Sequence, residues 1–296
     1  KGHTRYTNMY GDIELRNEIR KFYKDEYDLD IAPDEVIVTT SGLIAMYMAL
    51  QAILDEGDEV IIQSPFFTPY TAQVEMARGI PVELDTYEEE DFQINIDRLK
   101  SLITPRTKAL IINTPSNPTG SCLSADTLGE IAKIAEEEDL IVIADDIYTS
   151  YSFEKDFIPF MSMPGMRERT ITINSFSKNF IMTGWRVGNI IAPAFIVRVL
   201  KDMGENIVYS APAPSQRAAI YALRNRKVIQ PPIIAEYRKR MEYAAERINR
   251  IPWMSVITPP KGSFYLFINI KKSGLSSLDA ADMILEKAHV LLLPGN

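Results

Sequence analysis

The chain has 296 residues, 46% hydrophobic and 24% charged, with a formal net charge of -8. That length suffices for one large or two smaller domains with a sizeable core, and the acidic balance disfavours nucleic acid or an anionic membrane as partner. No apolar run approaches the roughly 20 residues of a membrane span, residues 1–4 lack the apolar core of a secretion signal, and the single cysteine with two histidines argues against a disulfide or a structural zinc, which fits a reducing, cytoplasmic setting.

In chain order, Asp12 caps a predicted helix over Asp12–Tyr23, with Leu15, Ile19 and Phe22 on one face. Val36–Thr40 is a β-branched strand, and Ser41-Gly42 turns from it into an apolar helix over Leu43–Leu54. A strand, a small-residue turn and a helix start can bind an anion, because the first helical N–H groups are unpaired and the dipole is positive there. Val60–Gln63 is the next strand, followed by Ser64-Pro65-Phe66-Phe67, a helix over Pro69–Arg78 and a strand over Ile80–Leu84. The acidic run Glu88–Asp91 reads as a solvated loop. The strand Lys108–Ile112 ends in Asn113-Thr114-Pro115-Ser116-Asn117-Pro118-Thr119-Gly120, whose Asn, Pro and Gly content makes a turn.

Ser124 caps a helix reaching Glu138, with Leu128, Ile131, Ala132 and Ala135 as its buried stripe. Leu140–Ala144 is apolar enough for the centre of a sheet, and it delivers Asp145-Asp146-Ile147-Tyr148 at its C-terminal end, where α/β proteins hold ligands. A strand over Thr170–Ile173 leads into the lysine stretch discussed next. Helices follow over Ala194–Gly204, Ser215–Leu223 and Pro231–Ile251, the last a bridge to a second domain. Strands are expected over Trp253–Ile257 and Ser263–Ile270, separated by Pro259-Pro260-Lys261-Gly262. There is no internal repeat and no low-complexity segment.

The stretch Asn174–Asn189, NSFSKNFIMTGWRVGN, carries the most chemistry. Lys178 offers an amine, Ser175 and Ser177 offer hydroxyls, and Arg186 offers a permanent cation for an anion. Gly184 and Gly188 are expected to let backbone approach closely. Together these groups are what a lysine Schiff base to a phosphorylated aldehyde cofactor needs.

The S-x-S-K followed by G-W-R-V-G resembles the cofactor-lysine signature of the class I/II aminotransferases, the fold-type I enzymes that use pyridoxal 5'-phosphate (PLP). The resemblance runs from about Tyr6 to the last residue. It implies an α/β fold: a three-layer αβα large domain with a mostly parallel mixed central sheet, and part of a small α+β domain, divided as residues 1–240 and 241–296.

The resemblance also implies roles. Ser41, Gly42 and the backbone of Leu43 form the phosphate cup with Ser175 and Arg186, and Ser177 is a further cofactor-binding residue; Phe67 stacks on the pyridine ring, with Ile147 on its other face. Asn117, in N-P-T-G, and Tyr148 bond the phenolic oxygen. Asp145 pairs with the pyridine nitrogen, and Tyr6 reaches the phosphate of a neighbouring subunit's cofactor in a homodimer. The catalytic residues are Lys178, Asp145 and Tyr148, and no metal is expected.

Family members begin earlier and continue beyond Pro294-Gly295-Asn296, where they carry an arginine for the substrate carboxylate, so the chain is expected to be a piece of a longer one. The expected activity is transfer of an amino group between an L-amino acid and a 2-oxo acid. Dicarboxylate-specific members carry an extra arginine near the stretch that here reads Gly204-Glu205-Asn206, where none appears, so the resemblance implies a neutral or aromatic substrate side chain over an aspartate-type one. Two alternatives remain open: a PLP-dependent carbon–sulfur β-lyase and a PLP-binding regulatory or sensor domain.

Overall fold

Seven strands form one sheet: β1 (Val36–Thr39), β2 (Glu59–Ser64), β3 (Ile80–Asp85), β4 (Thr107–Asn113), β5 (Ile141–Asp145), β6 (Thr170–Ser175) and β7 (Gly188–Ile191). They appear in a computed structural model that describes residues 2–295; Lys1 and Asn296, which end the two terminal stretches read in the sequence, lie outside the described residues. The spatial order is β1-β7-β6-β5-β4-β2-β3. β3, β2, β4, β5 and β6 run parallel, whereas β7 is antiparallel to both β6 and β1. The carboxyl ends of β1, β2, β4, β5 and β6 therefore share one edge.

The apolar alternation along each strand divides the core. Val60, Ile62, Ala109, Ile111, Ile143, Ile171 and Ile173 face one side, where they pack on α2 (Gly42–Ile53), α3 (Pro69–Met76) and α7 (Ala194–Ile207). The intervening Ile61, Leu110, Ile112, Val142 and Ala144 face the other side, against α4 (Ile96–Leu102) and α5 (Ala125–Glu137). Further along that side, Val36, Val38 and Ile191 meet α1 (Ile13–Tyr27) and α8 (Ala213–Arg224). A side-chain period of two on strands covered by helices on both faces gives the three-layer αβα architecture.

Most expected elements form with shifted ends. Asp12 caps α1 by accepting from the Glu14 N–H, and Ser124 caps α5 by accepting from Thr127. On α1, however, Tyr23 is buried with Leu15 and Ile19, and Phe22 is only partly covered.

Three expectations fail. The helix expected from Pro231 begins a turn and a half earlier, as α9 (Arg226–Ile248), with both prolines inside it. Buried Arg226 bonds Asp25 and Glu26 on α1, each at 2.8 Å, and so anchors the earlier turn.

The strands expected over 253–257 and 263–270 do not form; the two segments meet in one isolated bridge, Ser255 with Asn269. Their neighbourhood binds them by side chains instead: Phe264, Tyr265 and Leu266 pack with Tyr148, Tyr151 and Met241. The acidic run is also more than a solvated loop. Glu88 accepts from Asn269 Nδ2 at 2.5 Å, Asp91 pairs with Lys261 at 2.9 Å, and Phe92 meets Phe267 edge-on.

Candidate active site

The turn after β1 leads into α2 through Ser41, the helix cap, whose Oγ accepts from the Ile44 N–H at 3.1 Å. The N–H groups of Gly42 and Leu43, in the first turn of α2, have no acceptor within the helix. One glycine is needed here. A Cβ on Gly188 would lie 2.8 Å from the Asn174 carbonyl and 3.0 Å from the Gly42 nitrogen, both backbone atoms, whereas one on Gly42 would lie 2.7 Å from Ile147 Cδ1, the movable tip of a side chain. Gly188 thus brings the start of β7 against the Ser41-Gly42 turn, with Ser175 alongside. Gly184 differs: a Cβ there would meet open space, so its expected close approach is not found. The reason is position, since Gly184 lies in an exposed 3-10 turn, Thr183–Trp185, while Gly188 opens a buried strand.

Lys178 lies on the short helix α6 (Phe176–Asn179), capped by Ser175, whose Oγ accepts from the Ser177 N–H. The helix is tied down on its far side. Tyr151 donates its hydroxyl to the Lys178 carbonyl at 2.9 Å, and Asn179 donates to Thr149 Oγ1 at 3.1 Å. The amine is half-buried, 5.7 Å from the centre of the Phe264 ring. Among the described residues no carboxylate lies within ion-pair distance of it. Burial, and secondarily the charge of Arg186, lower its pKa from the usual lysine value. A lysine so placed loses its proton more readily and becomes a nucleophile. Arg186 itself is exposed, takes a left-handed backbone with φ 51°, and donates Nη1 to the Thr183 carbonyl at 2.7 Å.

Asp145 ends β5 and is 5% exposed. Its Oδ2 accepts from the Tyr70 hydroxyl at 2.5 Å, and its Oδ1 is buried with no hydrogen-bond partner among the described residues. Burial raises the carboxyl pKa to about 6, against the opposing effects of the Tyr70 hydroxyl and the Ile147 N–H, which faces the group. Asn113, directly across the ladder, donates Nδ2 to the Asp145 carbonyl at 2.8 Å and accepts from the Asn117 N–H at 2.7 Å. One side chain therefore fixes both the carboxylate's backbone and the loop that carries Asn117.

The Tyr148 hydroxyl shares a hydrogen bond with that of Tyr265 at 3.0 Å and lies beside the Asn117 side chain. Phe67, 37% exposed, meets Tyr70 edge-on with centroids 5.7 Å apart.

Ser41, Gly42, Leu43, Phe67, Asn117, Asp145, Ile147, Tyr148, Ser175, Ser177, Lys178 and Arg186 all stand on elements that leave the shared sheet edge. Tyr6 does not join them; it is 79% exposed and packs edge-on against Tyr209 at 4.5 Å.

Sequence reading missed Tyr70, Asn113, Phe264 and Tyr265. Tyr70 had a signal, since it stands three residues after Phe67 at a helix start and so shares its side. Asn113 had none, because its partner is set by strand register.

The family description "Aminotransferase class I and II" matches residues 1–296. The aromatic-amino-acid aminotransferase 2 of Thermococcus litoralis is 39% identical over 304 residues, covering 100% of this chain and 77% of that protein. The aspartate aminotransferase of Pyrococcus abyssi is 40% identical over 303 residues, covering 100% of this chain and 76% of that protein. Among solved structures, the aromatic aminotransferase from Pyrococcus horikoshii superposes with a TM-score of 0.95 at 38% identity, covering 100% of this chain and 80% of that one. A matched family over the whole length, a shared fold and a buried carboxylate on the same sheet edge as a lysine of lowered pKa lead to one conclusion: this chain belongs to the class I and II aminotransferases.

Proposed function

We propose that this aminotransferase uses PLP held by Lys178, and that its amino donor carries a neutral or aromatic side chain. The observation that carries the cofactor reading is the orphaned Oδ1 of Asp145, a buried acceptor in need of a cationic donor such as a protonated pyridine nitrogen. The cup built by Ser41, Gly42, Leu43 and Ser175 suits a phosphate, with Arg186 supplying charge. Phe67 and Ile147 provide the apolar faces for a flat ring, and Asn117 and Tyr148 provide polar groups for its phenolic oxygen.

When bound, the cofactor supplies an electron sink that makes the substrate Cα–H acidic. Lys178 Nζ would hold the cofactor and, when its amine is free, would take the proton from substrate Cα. Asp145 would hold the ring nitrogen in its protonated form. Phe264 lies beside the lysine amine, and Tyr148 packs edge-on against Phe264 and Tyr265, an aromatic cluster that favours an apolar side chain on the substrate. We further infer a division into a PLP-binding domain over 1–240 and part of a smaller domain over 241–296, a cytoplasmic setting, and a homodimer in which Tyr6 reaches the partner's cofactor phosphate.

Absorbance spectra with PLP, before and after borohydride, test the cofactor. A visible band that borohydride fixes to the wild type and not to Lys178→Ala is expected; no band in either overturns the reading. Kinetics with phenylalanine, methionine, alanine and aspartate test the substrate, and a strong preference for aspartate overturns that part. An active monomer in sedimentation overturns the dimer.

A further inference from the structure

We propose that Tyr70 is a positioning residue: it holds Oδ2 of Asp145 so that the free Oδ1 is presented to the pyridine nitrogen, and it braces Phe67 on the face of the same ring. The inference rests on the cofactor reading above. Tyr70 is 3% exposed, and a buried phenol must place its proton on an acceptor. Its acceptor is Asp145 Oδ2, at 2.5 Å. With one oxygen engaged and Oδ1 buried and unpaired, the carboxylate has one orientation and one vacant acceptor. The phenol stays a donor at every working pH, because burial raises its pKa well above the ordinary tyrosine value. Its hydroxyl also opposes the effect of burial on Asp145 and so favours the charged carboxylate.

The placement of Tyr70 is itself secured. It stands at the start of α3, its N–H bonds the Phe67 carbonyl at 3.1 Å, and its ring meets Phe67 edge-on. One turn later Gln73 donates Nε2 to the Leu43 carbonyl at 3.0 Å, which ties α3 to the first turn of α2 at the cup. The helix thereby sets the distance between the cup and the ring-nitrogen partner.

The test is equilibrium binding of PLP and of its ring-carbon analogue, in which CH replaces the pyridine nitrogen, to wild type, Tyr70→Phe, and a protein with 4-aminophenylalanine at position 70. The wild type is expected to prefer PLP. Tyr70→Phe should cut that preference by about tenfold to a hundredfold, the effect of one hydrogen bond to a charged group. The loss should fall on PLP, and the 4-aminophenylalanine protein, which keeps a donor, should regain part of it even if Tyr70→Phe folds poorly. An unchanged preference in Tyr70→Phe, or equal loss of both compounds as a merely structural role would give, overturns the proposal. So does a wild type that binds both compounds alike. A wild type that binds neither compound overturns the cofactor reading and this inference with it.

Discussion

Asp145 and Asp146 are consecutive, each at most 5% exposed, and they face opposite layers of the molecule. Asp145 points toward α3 and receives the Tyr70 hydroxyl, whereas Asp146 lies near Tyr23 and Tyr27 on α1 and leaves its Oδ2 without a hydrogen bond. Burial raises both carboxyls. For Asp145 a donor opposes the rise and the value stays at about 6, while for Asp146 the neighbouring charge of Asp145 adds to it and the pKa goes well above the ordinary carboxyl value. Equal burial thus gives unequal acids: Asp145 is poised to be charged at neutral pH, and Asp146 is held toward its neutral form.

This contrast can be broken most sharply through activity. Asp145→Asn should lower kcat/KM by about a thousandfold, the scale of losing a preorganised electrostatic partner. Asp146→Asn, measured in the same assay, should stay within about threefold of wild type. Equal losses would mean that the two carboxyls share one role.

Stability without cofactor is the next measure. A carboxyl whose pKa rises from 3.8 to about 6 on folding costs on the order of 3 kcal/mol when ionised. Since the folded state binds this proton more tightly, stability is highest below the unfolded value and falls as pH rises to about 6, after which this contribution is constant. Denaturant titrations of wild type and Asp145→Asn between pH 4 and 7 should therefore diverge, the variant becoming relatively more stable as pH rises. A constant gap across that range would contradict the assignment. Asp146→Asn should also become relatively more stable as pH rises, because burial raises that carboxyl as well.

The smallest effect is expected at Asn113, which bonds the backbone of Asp145. Asn113→Ala removes one buried and one partly buried hydrogen bond and should cost about 1–3 kcal/mol in denaturant melts. It should weaken PLP binding by freeing the loop that carries Asn117, with the borohydride-fixed band retained.

Much of the site was legible because its residues sit at element ends. Ser41 and Ser175 are helix caps, and Asp145 follows an apolar run whose continuity marks a central strand. Lys178 was legible through its local company of serines and Gly188. The apolar runs at 36–40, 60–63, 108–112, 140–144 and 170–173 are strands in the structure because each is β-branched and short. The segments over 253–257 and 263–270 have similar composition and do not pair, apart from one bridge, since a strand needs a partner along its length and composition does not name one. Glu88 and Asp91 read as solvent-facing charges because their partners, Asn269 and Lys261, are far along the chain.

The sequence by itself determined the α/β alternation, the caps, the family and the serine-and-lysine motif, all of which depend on neighbours within a few residues. Tertiary structure alone decided which buried carboxyl keeps a charge, which oxygen of it is free, and which tyrosine holds it. Those properties come from burial and from donors 32 and 75 residues away, Asn113 and Tyr70, whose approach is set by strand register and helix packing. Desolvation acts through space, so two aspartates side by side in the chain become different acids only once the layers close around them.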